Sequence, residues 1–185
     1  LGEMVEGVSP SLTARKSVKY RSVTLDTTVT YFGSSQWSVC SNYTLEKGRD
    51  LSAFDIENRH AVCVLGSYVA DTLFQYADPI GETVYLSGTP FTVIGTYYQK
   101  DGGAEESMDD VLAIPYSLSR SLLLSDHLTA LTVKVDTSDH VDAVIRSLDV
   151  FLADLIPESI GSYSLEDGNA EMSSSTEEMT SMSVV

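Results

Sequence analysis

Two neighbouring stretches, residues 12–20 and 23–32, alternate apolar with polar side chains, and they do so out of step. Val18 and Tyr20 share one parity, while Val23, Leu25, Thr27, Val29 and Tyr31 share the other. Successive side chains of a strand point to opposite faces, so a one-residue shift demands a turn or a bulge between the runs. The Val/Thr/Tyr-rich composition favours strands, and a hairpin turning near Arg21-Ser22 is expected. Leu128–Val135 alternates again, with Leu131, Val133 and Val135 on one face. In an α+β architecture with packed helix and sheet layers, contact between the chain ends is expected, with Val18–Tyr31 and Leu131–Val135 in one sheet.

Other segments read more locally. Gly7-Val8-Ser9-Pro10 reads as a chain break, and 33–60 as a polar, loop-rich stretch anchored by Trp37, Tyr43 and Leu45. Ala61–Leu65 is a short buried strand closed by Gly66. Residues 67–76 place Val69, Ala70, Leu73 and Phe74 on one helical face behind a Ser67 N-cap, until Asp78-Pro79-Ile80-Gly81 stops the helix. Strands follow at 83–87 and 90–98, joined at Ser87-Gly88-Thr89. Val111–Ile114 is a further strand and Tyr116–Leu124 a short helix. An amphipathic helix from Asp139 to Leu155 turns Val141, Val144, Ile145, Leu148, Leu152 and Leu155 to the core.

The 185 residues suffice for one domain or two small intertwined ones, and such a chain buries roughly 70% of its unfolded surface. The longest apolar run is five residues, Ala61–Leu65, whereas a membrane-spanning helix needs about 20. A net charge of −16 argues against nucleic acid. The basic cluster Arg15, Lys16, Lys19 and Arg21 is explained more economically by alternation along a strand than by a phosphate site. The chain opens with neither an initiator Met nor a signal peptide, which reads as a piece of something longer. Cys40 and Cys63 are too few for a disulfide scaffold, and a single bridge between them stays open.

Motifs that carry chemistry are not apparent. His60, His127 and His140 are scattered without ligand spacing, so neither a metal site nor a bound cofactor is expected. The acidic stretch Asp101–Asp110 lacks the register of a calcium loop and reads as solvated and mobile. Neither a nucleophile elbow nor a Gly-rich phosphate loop is present, and neither cysteine has a pattern that would activate it. Catalysis is not expected. From Pro157 onward Ser, Glu and Met dominate. Leu165, Met172, Met179 and Met182 recur as a thin helical seam, which fits a helix docking on another element and fits equally an unfolded tail.

One ordered series is more specific: Gly48-Arg49-Asp50-Leu51-Ser52, Asp55, Val62–Gly66, Val69-Ala70, Leu73-Phe74, Asp78-Pro79-Ile80-Gly81, Gly88, Phe91–Gly95 and Ile114-Pro115-Tyr116. It resembles the extracytoplasmic core domain of MacB-type ABC transporter permeases, the family of the macrolide exporter, the lipoprotein-release permeases and FtsX-like proteins. The match runs from about Val5 to about Pro157. Gly48, Arg49, Asp55, Gly66, Leu73, Phe74, Asp78, Pro79, Gly81, Gly88, Phe91, Gly95 and Pro115 read as residues that set the fold rather than react.

The resemblance implies an α+β, two-subdomain architecture: a porter-like unit from 1–35 and 108–160, with a sabre-like insertion at 36–107. It implies that 161–185 is a stalk leading to a transmembrane helix, with Leu165, Met172, Met179 and Met182 facing a dimer mate. It also implies a cell-membrane protein whose segment here lies on the periplasmic or extracellular side. The partners would be a second permease protomer and a separate cytoplasmic ATPase, with a peptide, antibiotic or lipoprotein as cargo. The isolated chain is expected to be monomeric. The function implied is non-enzymatic: transmitting an ATP-driven movement to displace a substrate outside the membrane. A sensor for cationic antimicrobial peptides, steered by the negative charge, is the alternative.

Overall fold

The computed structural model describes residues 4–75, 77–123, 130–156 and 162–167, together with the backbone of 182–183. Among them are ten strands and five α-helices. The strands are β1 (Val5–Pro10), β2 (Thr13–Tyr20), β3 (Val23–Gly33), β4 (Leu45–Gly48), β5 (Val62–Leu65), β6 (Thr83–Leu86), β7 (Thr89–Tyr97), β8 (Val111–Pro115), β9 (Ala130–Val135) and β10 (Met182–Ser183). The helices are α1 (Trp37–Cys40), α2 (Ala53–Glu57), α3 (Ser67–Phe74), α4 (Ser119–Leu123) and α5 (Val141–Leu155).

Seven strands form one mixed sheet in the order β4-β7-β5-β8-β3-β2-β6. Because β6 also pairs with β7, the run β7-β5-β8-β3-β2-β6 closes on itself, which removes its open edges. Its inner face holds the main core: Val18, Phe32, Cys63, Leu65, Leu86, Phe91, Val93, Leu112 and Ile114, with Val69, Leu73 and Phe74 of α3 packed among them. Val69, Leu73 and Phe74 are the expected helical face, although the cap falls on Gly66, one residue before Ser67. A second cluster on the outer face joins Trp37, Leu51, Val64, Tyr97 and Ala113, with Tyr31, Tyr43 and Leu45 against it. Of the expected anchors of the loop-rich stretch, Trp37 is a core residue, and Tyr43 and Leu45 pack against it partly buried.

The β2–β3 hairpin turns at Arg21-Ser22, where Arg21 takes φ +53. A bulge sits farther along it: Val18 opposes Leu25, yet Lys16 opposes Thr28. This extra residue in β3 reverses its parity, so Val23 and Leu25 pack on the inner core. Beyond the bulge Thr28, Thr30 and Phe32 take the buried positions, and Tyr31 joins the outer cluster. The expected single apolar face of β3 is thus split in two.

Two expectations about the ends need correction. Gly7–Pro10 does not break the chain but belongs to β1, an edge strand, where proline costs no ladder hydrogen bond. β1 pairs with β9, and β10 pairs with the other edge of β9. Leu131–Val135 therefore lies in a small β1-β9-β10 sheet and not in the sheet of the hairpin. α5 packs on this sheet through Val144, Ile145 and Leu148 against Val133. Its last turn runs past that small cluster, leaving Leu155 62% exposed in place of the core position expected for it. The larger sheet combines β2, β3 and β8 with β4–β7, so strands from 1–35 and 108–160 hydrogen-bond directly to strands from 36–107.

Candidate functional site

The motif residues converge where β4 and the approach to α2 meet β7. Gly48 has φ +73, and a Cβ there would collide with the Ile94 carbonyl oxygen. Across from it, a Cβ on Gly95 would collide with the Arg49 carbonyl. Two glycines thus allow two backbones to approach more closely than side chains permit, and Arg49 N donates to Ile94 O at 2.9 Å. Gly66 repeats the device against the Asp109 carbonyl.

That crossing aims Arg49 at Asp55. Its guanidinium makes two hydrogen bonds to the carboxylate, 2.6 Å to Oδ2 and 2.9 Å to Oδ1. Asp55, 1% exposed, is also the N3 residue of a capping box. Ser52 N donates to Oδ2 at 3.0 Å, and Asp55 N donates to Ser52 Oγ at 3.3 Å. His60 Nδ1 lies 3.3 Å from Oδ1. The Arg49 hydrogen bonds, helped by Ser52 and His60 and opposed by burial, hold the Asp55 carboxyl well below the usual carboxylate range. Next to it, Asp50 Oδ1 accepts from Leu51 N at 2.8 Å and from the buried Tyr97 hydroxyl at 2.7 Å. Burial, together with that carboxylate, pushes the Tyr97 phenol far up.

The remaining motif residues shape turns and core. Ile80 N bonds Asp78 Oδ1 at 3.1 Å, Pro79 is buried, and Gly81 (φ +85) donates its N–H to Val93 O at 2.8 Å. Gly88, at φ +86 after Ser87 at +47, makes the two-residue β6–β7 turn. Leu73, Phe74 and Phe91 are in the main core, and Pro115 ends β8 opposite Gly33.

The acidic stretch differs from expectation. Asp109 and Asp110 are 0% and 2% exposed. Asp109 accepts backbone N–H groups from Lys100 (2.6 Å), Asp101 (2.8 Å) and Gly103 (2.8 Å), in a loop bent by Gly102 and Gly103 at positive φ. Burial would raise its pKa, but these N–H groups outweigh that and lower it. Composition does not distinguish a caged carboxylate from a solvated one. Sequence reasoning also missed the stacking of Trp37 on Tyr43 (ring centroids 4.9 Å) and the Lys100 ammonium 4.4 Å over Tyr43. The aromatic spacing of 31, 37, 43 and 97 was the available signal.

Among the described residues, no group of three His, Cys, Asp or Glu side chains converges to hold a metal, and no helix is long and apolar enough to cross a membrane. Cys40 and Cys63 are both buried and unbridged, and burial pushes both thiols up. Of the proposed stalk seam, Leu165 packs without helical structure near Val133 and Val144, and Met182 belongs to β10. Met172 and Met179 lie outside the described residues.

The same fold recurs in known proteins. The periplasmic region of MacB from Actinobacillus actinomycetemcomitans superposes with a TM-score of 0.67 at 22% identity, covering 82% of this chain and 68% of that one. The extracellular domain of the transporter YknZ from Gram-positive bacteria superposes with a TM-score of 0.66 at 16% identity, covering 82% and 76%. In sequence, the chain is 30% identical over 132 residues to the macrolide export ATP-binding/permease protein MacB 2 of Aeromonas hydrophila. It is 27% identical over 128 residues to the ABC transporter permease YvrN of Bacillus subtilis. These alignments cover 71% and 66% of the chain but only 20% and 30% of the respective relatives. The family description "MacB-like periplasmic core domain" matches residues 1–150, and the chain belongs to that family.

Proposed function

We propose that this chain is the extracytoplasmic domain of an ABC exporter permease, a non-enzymatic relay that converts an ATP-driven movement into displacement of cargo outside the membrane. The observation that carries the reading is the small sheet in which β9 bonds β1 on one edge and β10 on the other. Force entering through either flanking segment reaches the same strand, while the closed sheet of β2–β8 moves as a packed body beside it. On this reading the porter-like unit centres on β1, β9, β10 and α5, and the insertion on the closed sheet, in place of boundaries at residues 35 and 108. The partners are a second permease protomer and a cytoplasmic ATPase. The cargo is a small molecule, peptide or lipoprotein, in keeping with relatives named for macrolide and pyoverdine export.

Cysteine cross-linking in the full-length protein in membranes tests it. Met172→Cys or Met179→Cys is to be paired with its counterpart in the second protomer, with and without nucleotide. A nucleotide-dependent change in cross-linking rate is expected. Positions that never cross-link in either state would contradict transmission through the tail.

A further inference from the structure

A different surface carries an inference that stands apart from the transport reading. On the outer face of the closed sheet, Ser17, Lys19, Arg21, Thr24, Tyr85 and Gly88 line a groove of about 490 Å³. In a chain with 27 acidic residues, no carboxylate lines it. Lys19 and Arg21 are exposed; Arg21 packs over the Tyr20 ring at 5.0 Å, beside the hydroxyl that donates to Glu82 Oε2 at 2.8 Å behind the groove. Three hydroxyl-bearing side chains, Ser17, Thr24 and the 46%-exposed Tyr85, complete the lining.

The groove is built on paired strands. Lys19 opposes Tyr85 in the β2–β6 pairing, Ser87 N donates to Ser17 O at 2.8 Å, and the tight turns at Arg21-Ser22 and Ser87-Gly88 flank the groove. Two cations beside hydroxyl donors, brought to one face by strand register, match the needs of an oxyanion: charge-assisted hydrogen bonds from a fixed backbone. We propose that this groove binds an anionic group of phosphate type, held by Lys19 and Arg21 and oriented by Tyr85. Its source is either a soluble phosphorylated molecule or a phospholipid headgroup.

The test is an amide-resolved NMR titration of the 185-residue chain with inorganic pyrophosphate. A parallel titration uses vesicles of phosphatidylglycerol against vesicles of phosphatidylcholine. Saturable shifts confined to the amides of Lys19, Arg21, Thr24, Tyr85 and Gly88 are expected. Lys19→Ala/Arg21→Ala is expected to weaken binding by at least about tenfold, since hydrogen bonds to charged groups are the strong ones. Tyr85→Phe, which removes only a hydroxyl, is expected to weaken it several-fold while the rest of the spectrum stays unchanged. Response to pyrophosphate alone assigns a soluble ligand; response to phosphatidylglycerol vesicles but not phosphatidylcholine assigns a headgroup. Failure to saturate with either probe, shifts located elsewhere, or undiminished binding by the double variant would overturn the proposal.

Discussion

Arg49 grips Asp55 through two hydrogen bonds of 2.6 and 2.9 Å, with the carboxylate 1% exposed and the guanidinium half in solvent. The pair ties the β4–β7 backbone crossing to the first turn of α2, so the motif is a structural clamp. Removing its two halves is not symmetric. Arg49→Ala leaves a buried carboxylate without its cation, and a loss of about 2–4 kcal/mol is expected, somewhat below that for a fully buried pair. Asp55→Ala leaves an arginine that water can solvate, but also removes the capping box, so about 1–3 kcal/mol is expected. Urea unfolding of the two variants checks the order.

The clamp makes stability depend on acid. The Asp55 pKa is lower folded than unfolded, and so is that of Asp109. The unfolded chain therefore binds more protons at low pH, and stability rises with pH through that range. Their contribution is fully present above the unfolded value of about 3.9 and is lost as pH falls below it toward the folded values. Urea midpoints measured between pH 6 and pH 2 should fall steeply below about pH 4, and Asp55→Asn should flatten the fall.

Two glycines separate close approach from backbone conformation. Gly48 combines φ +73 with a collision against the Ile94 carbonyl, whereas Gly88 has φ +86 with nothing within 4 Å of its missing Cβ. Gly88→Ala should cost about 1 kcal/mol, from φ alone. Gly48→Ala should cost distinctly more, at least about 2 kcal/mol, because β4 must also shift from β7. Thermal or urea unfolding resolves the difference.

Asp109 organises the loop around it. Asp109→Ala should raise hydrogen exchange at the Lys100, Asp101 and Gly103 amides and lower stability by about 1–3 kcal/mol. An exchange pattern unchanged at these three positions would contradict the caged carboxylate.

What the sequence disclosed follows from range. The α3 face of Val69, Leu73 and Phe74 and the turn at Ser87-Gly88 are set by neighbours a few residues away and appear where the pattern places them, whereas the helix already ends at Phe74, with Gln75 at φ +55, before the Asp78–Gly81 turn. The ordered motif from Gly48 to Pro115 was readable as a fold signature. Its mechanism was not, because Gly48 and Gly95, or Asp50 and Tyr97, meet only once β4 lies on β7. The bulge between Lys16 and Val18 is invisible to a strict period of two, and the β1–β9 pairing joins residues about 125 apart, Pro10 with Leu131 for one. Asp109 looks like any other acid in a run of acids until three amides close on it.

The proposed relay is tested most directly by distances between spin labels in the full-length protein, with nucleotide and without. Val150→Cys, on the 73%-exposed site of α5, reports between protomers; paired with Phe54→Cys, 64% exposed, it reports within one domain. The native Cys40 and Cys63 are buried, 5% and 0% exposed, and should not label. The account predicts that the distance between protomers shifts on nucleotide binding while the distance within the domain holds. Identical distances between protomers in both states would contradict it.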